Sequence, residues 1–535
     1  MPFSQIYDPL QSFWLSVLMA LLPIGVLLVG LGLVRLKAHV AALIGLAATV
    51  LVALWVFKMP AGLEALSVVY GAAYGFLPIG WIIVNVIFLF NLSTQKGLFQ
   101  TLQDSLTSIT RDRRLQLLLV AFCFGAFFEG AAGFGTPVAV TSSILMGLGF
   151  SPMASAGLSL IANTAPVPYA GLGTPLVALQ GVTGLDLHAL TISVAQQLTF
   201  FDILIPFWIL VAFAGWRGMW EVWPAALVTG GSFAIAQYLV AYFHGPWLVN
   251  IVAALVSLLA LMLFLFIWKP RTIWHHPGET ETSVAQQTFH TRKDILQAWL
   301  PWIILSLVVF VWGLPQVKAL LDSVSLIRIP IGGLHLQVLR MPPIVAAPQA
   351  QAAIFDLNWL SASGTGILAA ALLAGGLMRY TPRELVKVYF QTWAQVWRSL
   401  VTISAMMAIG FVTRYAGMDG TLGLAFSQTG PLYPFFGTLL GWMGVVLTGS
   451  DTSSNVLFGS LQRITAEQLG LNPVSMAAAN SSGGVMGKMI NAQSIVVAST
   501  ATRQYGKEGE ILRYVFFHSL TLAAMVGLLV MVMAR

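Results

Sequence analysis

Charge is what this chain has least of. Of its 535 residues only 8% are Asp, Glu, Lys or Arg, against about 25% in a soluble domain, which excludes a soluble globular protein. Disorder is excluded as well, because 58% of the residues are hydrophobic and the net charge is only +7. Cysteine is nearly missing. The single Cys123 lies inside an apolar run, so neither a disulfide framework nor a Cys-based metal site can be built. The first ten residues lack a basic n-region, and no small-residue cleavage site follows the first apolar run, so 12–34 is expected to be a retained helix. No soluble basic face exists to hold nucleic acid. Zinc motifs, phosphate-binding loops and nucleophile elbows are absent, and no cofactor is expected.

What the chain has is apolar length. Spanning ~30 Å of hydrocarbon takes about 20 helical residues, and runs of that kind occupy 12–34, 38–58, 64–92, 188–214, 221–243, 247–268, 295–315, 358–378, 384–412 and 513–533. The short alternating segments of a β-barrel do not occur. The expected fold is an all-α polytopic membrane protein in a lipid bilayer, with about 12 crossings and up to 16. Two further stretches, 115–181 and 431–502, are apolar but interrupted by Gly, Pro, Ser, Thr and Asn. A polar loop, 269–294, contains His275, His276, Pro277 and Gly278, and 316–357 reads as an ordered lid or hairpin. The chain then divides into a helix pair at 1–62, a repeat at 63–215, connecting helices at 216–383 and a second repeat at 384–535.

Lys and Arg counts orient the spans. Basic loops carry Arg35 and Lys37, then Lys96 with Arg111, Arg113 and Arg114, then Arg217, Lys269, Arg271, Arg292, Lys293, Arg379, Arg383, Arg503, Lys507 and Arg513. Putting this set in the cytoplasm makes the spans alternate if each interrupted block crosses an odd number of times. Both termini and 316–357 then face outward. The interrupted blocks resemble each other: Ser151-Pro152, Asn163-Thr164 and Thr174-Pro175 in one, Asn472-Pro473, Asn480-Ser481 and Asn491-Ala492 in the other. The sidedness makes them inverted copies.

Interrupted helices at matching positions of two halves point to a transporter's substrate site. Glu129 is the one charged residue of 115–181, and Asp451 is its counterpart upstream in the second block. An acid at membrane depth is functional by default, so both are candidates for proton coupling, Glu129 as a proton-carrying or cation-binding carboxylate. One of the two, Asp451 ahead of Glu129, is expected to carry the symported proton. Small polar side chains beside freed backbone N–H groups suit a carboxylate. Asn163, Thr164, Ser453, Ser454, Asn455, Asn480, Ser481 and Gln493 are therefore expected to line the substrate site. Lys488 is expected to pair with the substrate carboxylate, or with Asp451 or Glu129 when the site is empty. Outside these blocks, Asp202 lies mid-helix, His39 at a helix start, and Arg463 and Glu467 at the i,i+4 spacing of a structural pair. Arg414, Tyr415 and Asp419 lie at an outer helix end and read as a solvated turn, with an entrance to the site as the alternative.

The segments Phe127-Phe128-Glu129-Gly130-Ala131-Ala132-Gly133-Phe134-Gly135-Thr136-Pro137, Ala162-Asn163-Thr164-Ala165-Pro166, Gly449-Ser450-Asp451-Thr452-Ser453-Ser454-Asn455 and Gly483-Gly484-Val485-Met486-Gly487-Lys488-Met489-Ile490 closely resemble the bacterial L-lactate permease family. The resemblance covers essentially the whole chain. It implies a cytoplasmic-membrane symporter taking up L-lactate, often also glycolate or D-lactate, with protons. It also implies kinship with ion transporters built from inverted repeats and re-entrant hairpins, often with elevator motion. The family usually has Ser-Pro where this chain has Asn491-Ala492. Two other classes stay open: a small-anion channel or exchanger, which would use similar polar rings, and an intramembrane enzyme. The second would need a nucleophile–base pair or metal ligands, and the interrupted blocks contain no histidine.

Overall fold

Long helices in this protein carry bulky apolar side chains on the outside: Phe243, Phe266 and Ile267 are 74%, 78% and 90% exposed. Glu129, Asn163, Asp451 and Asn480 are at most 3% exposed. That inversion of polarity is what a helical protein adopts when its solvent is lipid. The computed structural model describes residues 2–32, 34, 36–107, 109–131, 136–274, 291–505 and 507–534. Among them, eleven helices are long and apolar enough to cross a membrane, from Phe13–Leu31 to Glu508–Met533. The run at 358–378 forms a shorter helix, Ser363–Leu377. His275, His276, Pro277 and Gly278 lie outside the described residues.

Each interrupted block folds as a helical hairpin followed by a broken helix. The two arms of hairpin 1 are Arg113–Ala131 and Thr136–Gly147, and residues 132–135 between them lie outside the described residues. Its open ends meet where Arg113 lies over the Phe150 ring at 6.0 Å, beside the loop holding Thr272 and Trp274. Broken helix 1 is Pro152–Ala162, an interruption, and Ala170–Thr183. Inside the latter, Gly171, Leu172 and Gly173 have φ of 49°, 54° and 79°. The left-handed turn is forced at Gly173, where a Cβ would press on Pro246 at 2.7 Å.

Hairpin 2 is Tyr433–Thr448 and Asp451–Leu469, turning at Gly449 with φ 76°. Its outer end touches the 316–357 segment, with Gln468 donating to the Pro343 carbonyl. Broken helix 2 is Pro473–Gly487 and Ala492–Ala501. A proline begins each broken helix, where its missing N–H is no loss.

The 316–357 segment contains the helix Pro315–Ser325 and four strands, β2 (Leu326–Pro330), β3 (Val338–Arg340), β4 (Gln349–Ala350) and β5 (Ile354–Asn358). β2 pairs antiparallel with β5, and β3 with β4. On the far side of β3 lies β1, Phe3–Ser4, in parallel register Phe3↔Val338. The start of the chain and this segment therefore share one side of the molecule. The last helix ends there too, since Gly527 packs on Phe435 at the start of hairpin 2.

Candidate functional site

Hairpin 2 and broken helix 2 approach so closely that side chains are excluded from the seam. A Cβ at Gly441 would strike the Asn480 backbone, one at Gly483 the Thr438 carbonyl, and one at Gly484 Oδ1 of Asp451 at 2.5 Å. Small residues here do the packing that brings helices together in lipid. Hydrogen bonds then fasten the seam. Ser454 donates to the Gly441 carbonyl at 3.0 Å. Asn480 donates to Asn455 Oδ1 at 2.9 Å and receives from Gln462 at 3.2 Å, and Gln462 is itself held by the Tyr433 hydroxyl at 2.7 Å. Asn455 reaches across to the Pro175 carbonyl of broken helix 1 at 3.2 Å, joining the two blocks.

The interruption in broken helix 2 falls at Lys488, not at Asn480 and Ser481, which lie inside the regular helix Pro473–Gly487. Measured from the proline, the interruption comes four residues later than in the first block, one helical turn. Lys488 is 8% exposed and donates to the Gly449 carbonyl at 3.1 Å. That carbonyl sits at the C-terminal end of a helix, the negative end of its dipole. Among the described residues Lys488 has no carboxylate within 4.0 Å, so the expected ion pair with Asp451 or Glu129 is not formed. Its charge nonetheless acts on both acids. Asn491 caps the next helix, accepting from the Ser494 N–H at 2.8 Å and donating to the Lys488 carbonyl at 2.6 Å. Asn491 therefore gives the second arm of broken helix 2 a capped start.

Around Lys488 the polar atoms are under-used. Asp451 accepts from Ser481 at 2.5 Å through Oδ2, while its Oδ1 has no partner. Glu129, 1% exposed, leaves Oε2 unpaired. Asn163 faces the Glu129 carboxyl, and neither of its amide atoms has a partner at hydrogen-bond distance and angle. Buried polar groups are almost always bonded, and here four unmet atoms, on Glu129, Asn163 and Asp451, gather around one ammonium. The structure brings together Glu129, Asn163, Asp451, Ser481 and Lys488. Ser454, Asn455 and Asn480 serve the seam instead. Thr164 bonds its own turn at the Ile161 carbonyl, Ser453 sits in the first turn after the hairpin 2 tip, and Gln493 is exposed over Gly449.

Sequence reasoning passed over Asn250, which donates to the Pro166 carbonyl at 2.5 Å and packs on Gly130. Its signal was an isolated Asn in the 247–268 run. Asp202 is fully buried with neither carboxylate oxygen partnered among the described residues. His39 lies 5.8 Å from the Trp397 ring. Arg463 and Glu467 do pair, at 2.7 Å. Asp419 and Tyr415 are 6% and 1% exposed, so they form a covered cluster and not a solvated turn.

Lipid-facing helices folded around paired hairpins and broken helices, with an unsatisfied polar centre, define a multi-pass membrane protein of transporter type. The chain belongs to the L-lactate permease family, whose model matches residues 16–535. It is 44% identical over 536 residues to the L-lactate permease of Escherichia coli strain K12, covering 98% of this chain and 97% of that one. The glycolate permease GlcA of the same strain is 42% identical over 553 residues, covering 99% and 98%. Among solved structures, the Neisseria gonorrhoeae antimetabolite efflux pump MtrF superposes with a TM-score of 0.47 at 14% identity, covering 87% of this chain and 82% of that one.

Proposed function

We propose that this protein is a secondary active transporter that imports L-lactate, and related 2-hydroxy monocarboxylates such as glycolate or D-lactate, together with protons across a bacterial cytoplasmic membrane. The observation that carries this reading is the set of unpaired atoms on Glu129, Asn163 and Asp451 around the buried Lys488. A 2-hydroxy acid brings one carboxylate and one hydroxyl, and this set offers one cation, one amide and two acids. Lys488 takes the carboxylate, Asn163 the hydroxyl, and Asp451 or Glu129 the proton. Loading a proton with the anion adds no net charge to the site, which avoids the penalty of carrying an extra charge through a low-dielectric interior.

The hairpins act as re-entrant elements of two inverted repeats, entering from opposite faces and ending at the shared centre. The basic loops around Arg111 to Arg114, Arg217 and Lys269 to Arg271 lie in the cytoplasm, and both termini lie outside. The test is counterflow and uptake in proteoliposomes with a panel of small monocarboxylates, with and without an imposed pH gradient. Accumulation of lactate above its equilibrium level only when the outside is acidic is the expected result. Equilibration without accumulation would reduce the protein to a channel or exchanger.

A further inference from the structure

On the side that carries the chain start and the 316–357 segment, three arginines converge from distant parts of the sequence. Arg414 lies at the end of the helix Pro382–Ala416, Arg463 on the returning arm of hairpin 2, and Arg340 on β3. Arg414 and Arg463 flank Gly184, the left-handed residue ending broken helix 1: a Cβ there would lie 3.7 Å from Arg414 Nη2 and 3.7 Å from Arg463 Nη1. Arg414 reaches the Gly181 and Val182 carbonyls only at 3.5 Å each, and its Nε has no partner. Arg463 is committed to Glu467 and to the Thr183 carbonyl.

Arg340 is 9% exposed, yet among the described residues its guanidinium closes no hydrogen bond or ion pair. It feels the charges of Asp419, Arg414, Arg463 and Glu467, and burial pulls its pKa below the usual arginine value. Asp419 faces Arg340 and Arg414 but gives its hydrogen bonds to neither, accepting instead from Ser460 and from the Gly420 N–H. Three cations thus face two acids, and one of those acids is already paired. The cluster is one anion short.

The helix that carries Arg463 also carries Asp451 of the central site at its start, and between them Val456, with Val182 of broken helix 1, packs on Gly410.

We propose that Arg340, Arg414 and Arg463 form an outer site that receives a small carboxylate on its way to the central site. This rests on the transport reading above. A substrate anion arriving from outside would complete the charge balance of the cluster, and the arginines would concentrate it there.

The test is initial uptake of radiolabelled lactate by intact cells expressing the wild type, Arg340→Gln or Asp419→Asn, at low and high ionic strength. Arg340→Gln is expected to raise KM at least fivefold with Vmax within twofold, and Arg340→Lys to recover part of the loss. Asp419→Asn, which removes a competing carboxylate, is expected to lower KM about twofold. Added salt should raise the wild-type KM and leave that of Arg340→Gln nearly flat. Should Arg340→Gln fail to reach the membrane, Asp419→Asn and the wild-type salt response decide. Wild-type uptake with an unchanged KM in the variants, or with no salt response, overturns the outer site alone. No wild-type uptake above empty-vector cells overturns the transport reading and this site with it.

Discussion

At Lys488 a single ammonium holds a helix-end carbonyl where an acid was expected, and that exchange leaves it free to meet a substrate. A charge-assisted hydrogen bond contributes about 1.5–3 kcal/mol, roughly ten- to a hundredfold in affinity. Lys488→Ala is therefore expected to weaken lactate binding at least tenfold, measured by calorimetry on purified, correctly folded protein. Unchanged affinity would make the lysine a cap for hairpin 2. Asn163 and Asn480 should part company in the same assay. Asn163→Ala loses binding with little change in melting temperature, because its amide is unpaired. Asn480→Ala loses stability, by about 1–2 kcal/mol for the bonds to Asn455 and Gln462, with binding less affected. For coupling, Asp451→Asn is expected to abolish proton-driven accumulation and to spare lactate–lactate exchange. Glu129→Gln is the paired measurement, and accumulation surviving in both variants would remove these acids from the proton path.

Helices and their breaks were legible to different degrees. The spans follow from apolar length alone, because lipid selects for it, and every run marked in the sequence overlaps a helix. Gly and Pro marked both interrupted blocks. The position of the second break was misread, because Asn480-Ser481 looks like a polar break although the glycines at 483, 484 and 487 keep the helix regular against hairpin 2. Composition cannot distinguish a glycine that bends a helix from one that lets a neighbour in. Gly483→Ala tests this: its Cβ would enter the Thr438 carbonyl, and overpacking of that kind costs about 1–3 kcal/mol, read as a lowered melting temperature in detergent. Gly25→Ala, with open space around it, should hold or raise the melting temperature. The Arg340 cluster was hidden for another reason. Its members are brought together by the β3 strand, the end of the helix Pro382–Ala416 and the returning arm of hairpin 2, and no local pattern records that.

Seen whole, the molecule has two unlike faces. One carries both chain ends and the stranded segment, the other the loops where Arg114 is clasped by Asp112 at 2.8 Å and Glu221 at 2.7 Å. With Cys123 replaced by Ser, single cysteines at Ser4 and Ala347 should both react with a membrane-impermeant maleimide on intact cells. Reaction only after permeabilisation would reverse the orientation, and reaction of one without the other would contradict the β1–β3 pairing. That pairing also sets a timetable for biosynthesis. Phe3 has no strand to join until Val338 exists, and Gln5 no carbonyl at Arg414 until later still. At about 5–20 residues per second, the beginning of the chain waits roughly 20 to 70 seconds on the ribosome for its partner. During that interval the first two helices must hold their place in the membrane by hydrophobicity alone, and the fold closes only when its last third reaches back to its first residues.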